Sequence, residues 1–376
     1  MAGIYIHIPF CEKRCFYCDF YSTTDKTLTD SYIDAVVKEL SLRIGEISGE
    51  DVTTIYIGGG TPSQLSIHQL NCLVSGLKSI INFNTIAEFT IEVNPDDVYF
   101  EYMKECRSLG INRVSMGIQS FVDSELAEIN RRHNASQARE AVSVIKQAGF
   151  RNISIDLIYG LPLQTQETWL YSLEEAIKLD VPHISCYNLS YEEGTVLYKR
   201  KEKGEIVECS EDDCVKMYET LVAKMIEAGY VHYEISNFAK PGQYSRHNSN
   251  YWNLTPYIGL GASAHSFDGT VRRYNPMSIK EYIKGVNSKG FAYAEESETI
   301  WERYNEYVMI NLRTMWGIKT EQIRLMFGKE LYTHFKSEYR RFVDSGEMRI
   351  VDGAITITEK GIMLSDYIIR NLMYIP

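Results

Sequence analysis

Basic residues are in the minority in this chain: 39 lysines and arginines stand against 50 aspartates and glutamates, for a formal net charge of −11. A broad nucleic-acid footprint needs a basic stripe to neutralise phosphates, so no nucleic acid is expected among the partners. Long apolar runs are missing too. No stretch approaches the roughly 20 consecutive apolar residues of a membrane span. An apolar run follows Met1 almost at once, with no positively charged segment leading into it, so no signal-peptide pattern is visible. Only peripheral membrane association is left open. The eight cysteines lack the dense, regular spacing of a secreted disulfide scaffold, which fits a reducing cytoplasm. Low-complexity segments are absent, and so are repeats other than a strand–helix alternation. With 376 residues, 44% of them hydrophobic, the chain can build one large domain or a large one plus a small one.

What is present is concentrated at the start. Cys11, Cys15 and Cys18 form a Cys-x3-Cys-x2-Cys loop directly after the apolar run Ile4, Tyr5, Ile6, His7, Ile8. A strand therefore delivers three thiols to its end, and three thiolates so close together can wrap one face of a small inorganic cluster. An iron–sulfur cube usually takes four cysteines, so a three-cysteine loop leaves one iron open to a substrate or cofactor. Two other readings of these residues stand beside it. One is a structural zinc site with His7 as fourth ligand, provided the ring turns towards the loop. The other is a redox Cys15–Cys18 pair, which leaves Cys11 unexplained. Cys72, Cys106, Cys186, Cys209 and Cys214 are scattered and are expected to be bystanders.

Apolar, β-branched runs at residues 4–8, 52–57, 89–93, 113–118, 152–158 and 183–187 alternate with helical spacing at 32–44, 65–81, 98–108, 135–148 and 166–179. Thr29 or Asp30 is placed to cap the first helix. Six such alternations suit parallel crossovers and predict an α/β barrel or part of one, although a doubly wound sheet gives the same string. Polar residues collect just after the strands: the cysteine loop, Gly58 to Gly60, Glu92 with Asn94, Gln119 and Asp156. Active sites sit at the C-terminal strand ends of such barrels. The segment Gly58-Gly59-Gly60-Thr61-Pro62 lacks the lysine of a P-loop and the spacing of a dinucleotide fingerprint. By itself it reads as a tight turn whose glycines let the backbone approach a ligand.

Residues 211–229 give one more amphipathic helix. Residues 233–267 are rich in glycine, aromatic and polar side chains without a clear period, and read as the margin of the core and a bridge outward. Helices at 304–315, 319–327, 332–345 and 360–372, with a short strand at 354–358, predict a small, mainly helical, winged-helix-like C-terminal domain. The expected division is a core over residues 1–230, a bridging segment over 231–300 and a C-terminal domain over 301–376.

The opening Tyr5-Ile-His7-Ile-Pro9-Phe10-Cys11, with Cys15, Tyr17, Cys18 and Asp19, resembles that of the radical S-adenosylmethionine (SAM) proteins. Within them it is similar to the branch that holds oxygen-independent coproporphyrinogen III oxidases and HemW-like heme chaperones. Segments 232–239, 245–252 and 259–267 resemble the chaperones, whose mark His-Asn-x-x-Tyr-Trp stands here at His247, Asn248, Tyr251 and Trp252. The resemblance implies an incomplete (β/α)6 radical SAM barrel in which Cys11, Cys15 and Cys18 hold a [4Fe-4S] cluster and SAM chelates the fourth iron. It implies that the segment containing Gly59, Gly60 and Thr61 meets the SAM amino group. It also implies that Tyr5, Glu92, Gln119, Asp156 and either Arg131 or its neighbour Arg132 contact SAM. Carboxylates suit ribose hydroxyls, and an arginine suits a carboxylate as a two-pronged donor. Standing alone, Glu92 reads equally as one half of a buried ion pair.

The same resemblance implies heme as a ligand and heme-acceptor proteins as partners, membrane-associated respiratory enzymes among them, with a reductant for the cluster. His247 with Tyr251 and Trp252 offers an axial donor and an aromatic surface for the macrocycle. Tying its loop to the core by hydrogen bonds is the other role open to His247. Two departures from the oxidases favour heme delivery over radical decarboxylation of coproporphyrinogen III. Phe20 stands where they carry a further cysteine, and only ten residues precede Cys11. A radical SAM methyltransferase is a third reading.

Overall fold

The structure, a computed structural model, describes residues 1–47, 49–288 and 293–376. Six strands, β1 (Ala2–Ile8), β2 (Val52–Gly59), β3 (Glu88–Val93), β4 (Arg113–Gln119), β5 (Asn152–Tyr159) and β6 (His183–Asn188), pair in parallel in chain order. Helices α1 (Thr29–Arg43), α2 (Ile67–Ile80), α3 (Phe100–Ser108), α4 (Asp123–Glu128), α5 (Ala135–Gln147) and α6 (Gln166–Lys178) provide the crossovers. Along each strand the side chains alternate between two faces. Ile4, Ile6, Ile55, Ile57, Phe89, Ile91, Val114, Met116, Ile153, Ile155 and Ile184 are buried in the core beneath the helices. The alternate positions carry Tyr5, His7, Tyr56, Glu92, Arg113, Ser115, Ser154, Asp156 and Ser185. Parallel strands covered on both faces normally read as continuous apolar runs. Polar alternate positions mark a barrel interior kept for polar contacts.

Local chemistry sets the helix starts. Ser66 accepts from the Gln69 amide while the Gln69 side chain accepts from the Ser66 amide, so α2 starts at Ile67 instead of residue 65. The same reciprocal cap opens α5 at Asn134 and α6 at Thr165. The cap expected for α1 is absent. Thr29 is its first helical residue and donates its hydroxyl to the Lys26 carbonyl (2.7 Å), Asp30 lies in the first turn, and Leu28 at the boundary has no capping side chain.

After β6 come α7 (Val196–Glu202) and α8 (Glu211–Glu227), and then the segment in which the sequence shows no period. It extends the sheet at both edges. Strands β7 (Val231–Glu234) and β8 (Asn237–Ala239) add beside β6, with β8 antiparallel to it. Beyond helix α9 (Arg246–Trp252), β9 (Tyr257–Leu260) pairs in parallel with β1 on the side away from β2. Strands β10 (His265–Phe267), β11 (Val271–Tyr274) and β12 (Ala294–Ser297) continue that edge. The sheet order runs β12-β11-β10-β9-β1-β2-β3-β4-β5-β6-β8-β7, and among the described residues its two ends are not paired with each other, so the barrel is incomplete. A buried charge holds the β9 edge. Glu39 on α1 pairs with Arg43 (2.7 Å) and accepts from the Gly261 amide, the Asn275 amide group and the Tyr282 hydroxyl on helix α10 (Ile279–Asn287). A carboxylate so deep in the core is tolerable because every lone pair finds a donor.

The C-terminal part comprises α11 (Ile300–Leu312), β13 (Ile318–Lys319), α12 (Thr320–Asp344), β14 (Met348–Val351), β15 (Ala354–Ile357), α13 (Glu359–Ile362) and α14 (Ser365–Leu372). It has its own apolar core, including Tyr304, Leu312, Phe335, Ile355 and Leu372, and a small antiparallel sheet in the order β13-β15-β14. Helix α12 breaks at Gly328, where φ is 87°, so its halves match the two helical stretches read at 319–327 and 332–345. Main-chain bonds from Ile235 to Arg313 (3.0 Å) and from Met315 to Tyr233 (2.9 Å) join this part to the β7 edge. Among the described residues no helix is long and apolar enough to cross a membrane.

Candidate functional site: a cavity at the barrel mouth

The cysteine loop leaves β1 and is pinned by main-chain bonds from Cys11 to Thr23 (2.9 Å) and from Thr23 to Pro9 (2.8 Å). Cys11, Cys15 and Cys18 border one cavity of about 500 Å³ that opens at the strand ends, and the other five cysteines do not line it. Donors already face two of the sulfurs. Thr61 donates its hydroxyl to Cys11 Sγ (3.3 Å), and Arg131 Nη1 donates to Cys15 Sγ (3.3 Å). Burial pushes the Cys18 thiol up to about 11 and raises that of Cys11 as well. Deprotonation of the loop therefore has to accompany metal binding. Among the described residues no three His, Cys, Asp or Glu side chains converge closely enough for a single metal ion; the thiols border one side of a shared space. His7 is not available as a fourth zinc ligand. Its Nε2 donates to the Tyr21 carbonyl (2.8 Å), and Nδ1 accepts from the Tyr5 hydroxyl (3.1 Å). This donor set fits a cluster bound on one face.

Beside the cysteine loop, Gly59 adopts φ 108°, and a Cβ there would lie 2.5 Å from His7 Nδ1. At Gly60 a Cβ would come within 2.8 Å of the Pro9 carbonyl carbon. Only glycine lets β2 turn this close to β1. Among the described residues Glu92 forms no salt bridge: it accepts from the Tyr56 hydroxyl (2.7 Å) and the Gly59 amide (3.0 Å). Burial raises its carboxyl to about 7, and burial likewise lifts Asp156, which is bonded to Ser185, to about 6. Gln119 is buried with φ 74°, next to a register shift between β4 and β5. Such strain in a residue other than glycine persists only where its surroundings enforce it. Arg131 lines the cavity and donates through Nη2 to Asn94 Oδ1 (2.9 Å) and the Gly117 carbonyl (2.5 Å). Arg132 instead pairs with Asp96 and Asp97, which separates the two neighbours.

The structure thus brings Cys11, Cys15, Cys18, Gly59, Gly60, Thr61, Glu92, Gln119, Arg131 and Asp156 to one cavity. Tyr5 is not among the lining residues. Its ring stacks behind that of Tyr56, with centroids 6.2 Å apart.

His247 is placed apart from the mouth. The amides of Arg246 and His247 donate to Glu88 (3.0 and 2.9 Å), which seats α9 against the start of β3. The His247 ring is 1% exposed and lies over Tyr56, with Thr54 Oγ1 2.9 Å from Nδ1 and the Tyr251 hydroxyl 2.9 Å from Nε2. Burial, with the charge of Arg113 second, lowers its pKa to about 3, so the ring is neutral. Both nitrogens are engaged, as in the tying role. Tyr251 and Trp252 line a separate cavity of about 340 Å³ with Tyr257, Phe267 and Arg272.

Sequence reasoning passed over Tyr56, Arg113, Ser115, Ser154 and Ser185, all of which border the mouth cavity, and read Asn248, which borders it too, only as part of the His-Asn-x-x-Tyr-Trp mark. For the five on strands a signal existed. Arg113 and Ser115 share a strand face with Gln119, and Ser154 shares one with Asp156, by simple alternation.

A model of the radical SAM superfamily matches residues 5–176. The chain is 36% identical over 370 residues to the heme chaperone HemW of Bacillus subtilis, covering 97% of each. To that of Lactococcus lactis it is 33% identical over 369 residues, covering 98% of this chain and 96% of the relative. To that of Escherichia coli it is 37% identical over 265 residues, covering 70% and 69%. Among solved structures, the coproporphyrinogen III oxidase HemN of Escherichia coli, a radical SAM enzyme, superposes with a TM-score of 0.86 over 99% of this chain and 90% of its own, at 24% identity. That likeness is one of fold. On similarity along nearly its whole length, the chain belongs to the HemW family of the radical SAM superfamily.

Proposed function

We propose that the protein binds heme, a [4Fe-4S] cluster and SAM, and delivers heme to acceptor proteins. The observation that carries this reading is near full-length similarity to proteins named as heme chaperones, supported by a cavity lined by three thiols, a glycine turn and two half-buried carboxylates. Cys11, Cys15 and Cys18 hold the cluster, which when bound supplies an open iron and an electron. The turn at Gly59, Gly60 and Thr61 receives the SAM amino group. Glu92 and Asp156 accept from hydroxyls, and ionise as those donors arrive. Gln119 would border the same ligand, and Arg131, which here donates to Cys15, would supply the donors for its carboxylate. Tyr5 acts through Tyr56.

For heme, His247 would be the donor once released from Thr54 or Tyr251, and Tyr251 and Trp252 would offer the aromatic surface beside it. The acceptors are membrane-associated respiratory enzymes reached from the cytoplasm by peripheral contact, and a separate reductant serves the cluster. In this reading residues 1–230 are the core, 231–300 bridge to the acceptor side and 301–376 form a winged-helix-like unit.

The oxidase reading draws on the fold shared with HemN. Anaerobically reconstituted protein decides between them in two assays: conversion of coproporphyrinogen III, and heme uptake followed by transfer to an apo-acceptor. Transfer without conversion is expected. Conversion without transfer overturns the proposal.

A further inference from the structure

Arg113 opens β4 and points into the barrel. It is in register with Thr90, two residues before Glu92, and with Asn152, four residues before Asp156. At ~3.3 Å per residue its Cα lies about 7 Å below the level of Glu92 and about 13 Å below that of Asp156. The side chain is 2% exposed, borders the mouth cavity from beneath, and its Nη1 is buried with no hydrogen-bond partner among the described residues. A guanidinium does not shed its proton inside a protein, and a buried charge is tolerated only with a counter-charge and hydrogen bonds.

Burial raises the carboxyls of Glu92 and Asp156 and the charge of Arg113 acts to lower them, but among the described residues no carboxylate forms a salt bridge with it. Glu92 is held by Tyr56 and Gly59, and Asp156 by Ser185. Glu88 accepts from the α9 amides. His183 has Ser154 and the Tyr233 hydroxyl, each 2.7 Å away, as partners of its two ring nitrogens. Ser115, the next inward residue on β4, and Asn248 on α9 border the same cavity and can donate to an anion.

We infer that the lower part of the cavity is a carboxylate-binding subsite anchored by Arg113, for a small acid distinct from SAM. The residues matched to SAM lie at the strand ends, whereas this anchor stands at the start of its strand, beneath them. The unpartnered Nη1 of a planar guanidinium can donate to a carboxylate, and Ser115 and Asn248 complete its hydrogen bonds.

The test is calorimetric titration of sodium propionate into the anaerobically reconstituted full chain saturated with SAM, at constant ionic strength, with chloride as control. Wild type is expected to bind propionate saturably and chloride not at all. Arg113→Met should bind propionate at least tenfold more weakly, with iron and sulfide content unchanged and any loss of SAM affinity far smaller than the loss of propionate affinity. Arg113→Lys, which keeps the charge but not the fork, should fall between, and it carries the comparison if Arg113→Met does not fold. Iron and SAM are measured on the same samples, so a failure of the cluster and SAM reading is seen separately. The subsite is overturned if wild type shows no saturable propionate binding, if the variants bind as wild type does, or if saturating SAM displaces propionate. It is also overturned if the variants lose SAM affinity instead, which would make Arg113 a positioning residue for Glu92 and Asp156.

Discussion

The mouth and the floor of the barrel are built on the same six strands, yet they treat their polar groups in opposite ways. At the mouth, three thiols, a glycine turn and the carboxylates of Glu92 and Asp156 face a common space. At the floor, His183 and His247 have both ring nitrogens paired with hydroxyls at 2.7 to 2.9 Å. Both ends hold hydrogen-bonded polar groups, and what separates them is access: the mouth groups keep partners yet border the cavity, whereas the two histidines are enclosed by theirs. Groups enclosed by their partners stabilise the fold, whereas groups bordering open space are available to a ligand. Arg113 breaks the pattern, since it rises from the floor yet borders the cavity, and its Nη1 has no hydrogen-bond partner among the described residues.

The largest effect expected from this contrast is at the thiols. Serine at Cys11, Cys15 or Cys18 should abolish the charge-transfer absorption of the reconstituted cluster, while serine at Cys72 or Cys106 leaves it intact. Iron and sulfide analysis provides the check, and equal content in all five variants would erase the distinction. Next comes the floor. His247→Ala removes two side-chain hydrogen bonds and a ring stacked on Tyr56, and should cost about 2–4 kcal/mol in denaturant unfolding. Iron and SAM binding should persist, whereas heme affinity or the Soret spectrum should change. An unaltered Soret band and heme affinity would remove His247 as the donor.

A smaller effect is expected at Asp156. Its alanine variant should bind SAM about tenfold more weakly, about 1.4 kcal/mol, with iron content unchanged. Calorimetric titration measures it, and equal affinity would take Asp156 out of the pocket.

The smallest effect is in pH. Folding raises Glu92 from its ordinary 4.5 to about 7 and Asp156 from 3.8 to about 6. Between about pH 4 and 7 the folded chain therefore keeps protons that the unfolded chain has lost, so the contribution of these groups to stability falls as pH rises through that window. Glu92→Gln should flatten part of that slope in thermal melts of the SAM-free protein. A slope unchanged by the substitution would mean that Glu92 is already ionised in the folded chain.

Legibility in the sequence followed the same division. The mouth was readable because its chemistry comes in contiguous stretches, the cysteine loop and Gly58 to Thr61, each at the end of an apolar run long enough to show a strand. The floor was not, because its contacts join distant residues: Thr54 meets His247 across 193 positions, and Glu88 meets it across 159. Strands β7 to β12 are three or four residues long, too short for an alternation to stand out. Nothing in the sequence could show that β9 adds beside β1. Arg113 was visible as a charge at the start of an apolar run, but its lack of a partner emerges only once the neighbouring strands are in register.

The central claim is that the three thiols and the strand ends across the cavity form one site. Its most direct test is the electron paramagnetic resonance spectrum of the reduced, anaerobically reconstituted protein, recorded without and with SAM. A cluster signal that SAM shifts in wild type, and shifts only at higher SAM concentration in Asp156→Ala, is the predicted result. A wild-type cluster spectrum that saturating SAM leaves unchanged would contradict the account.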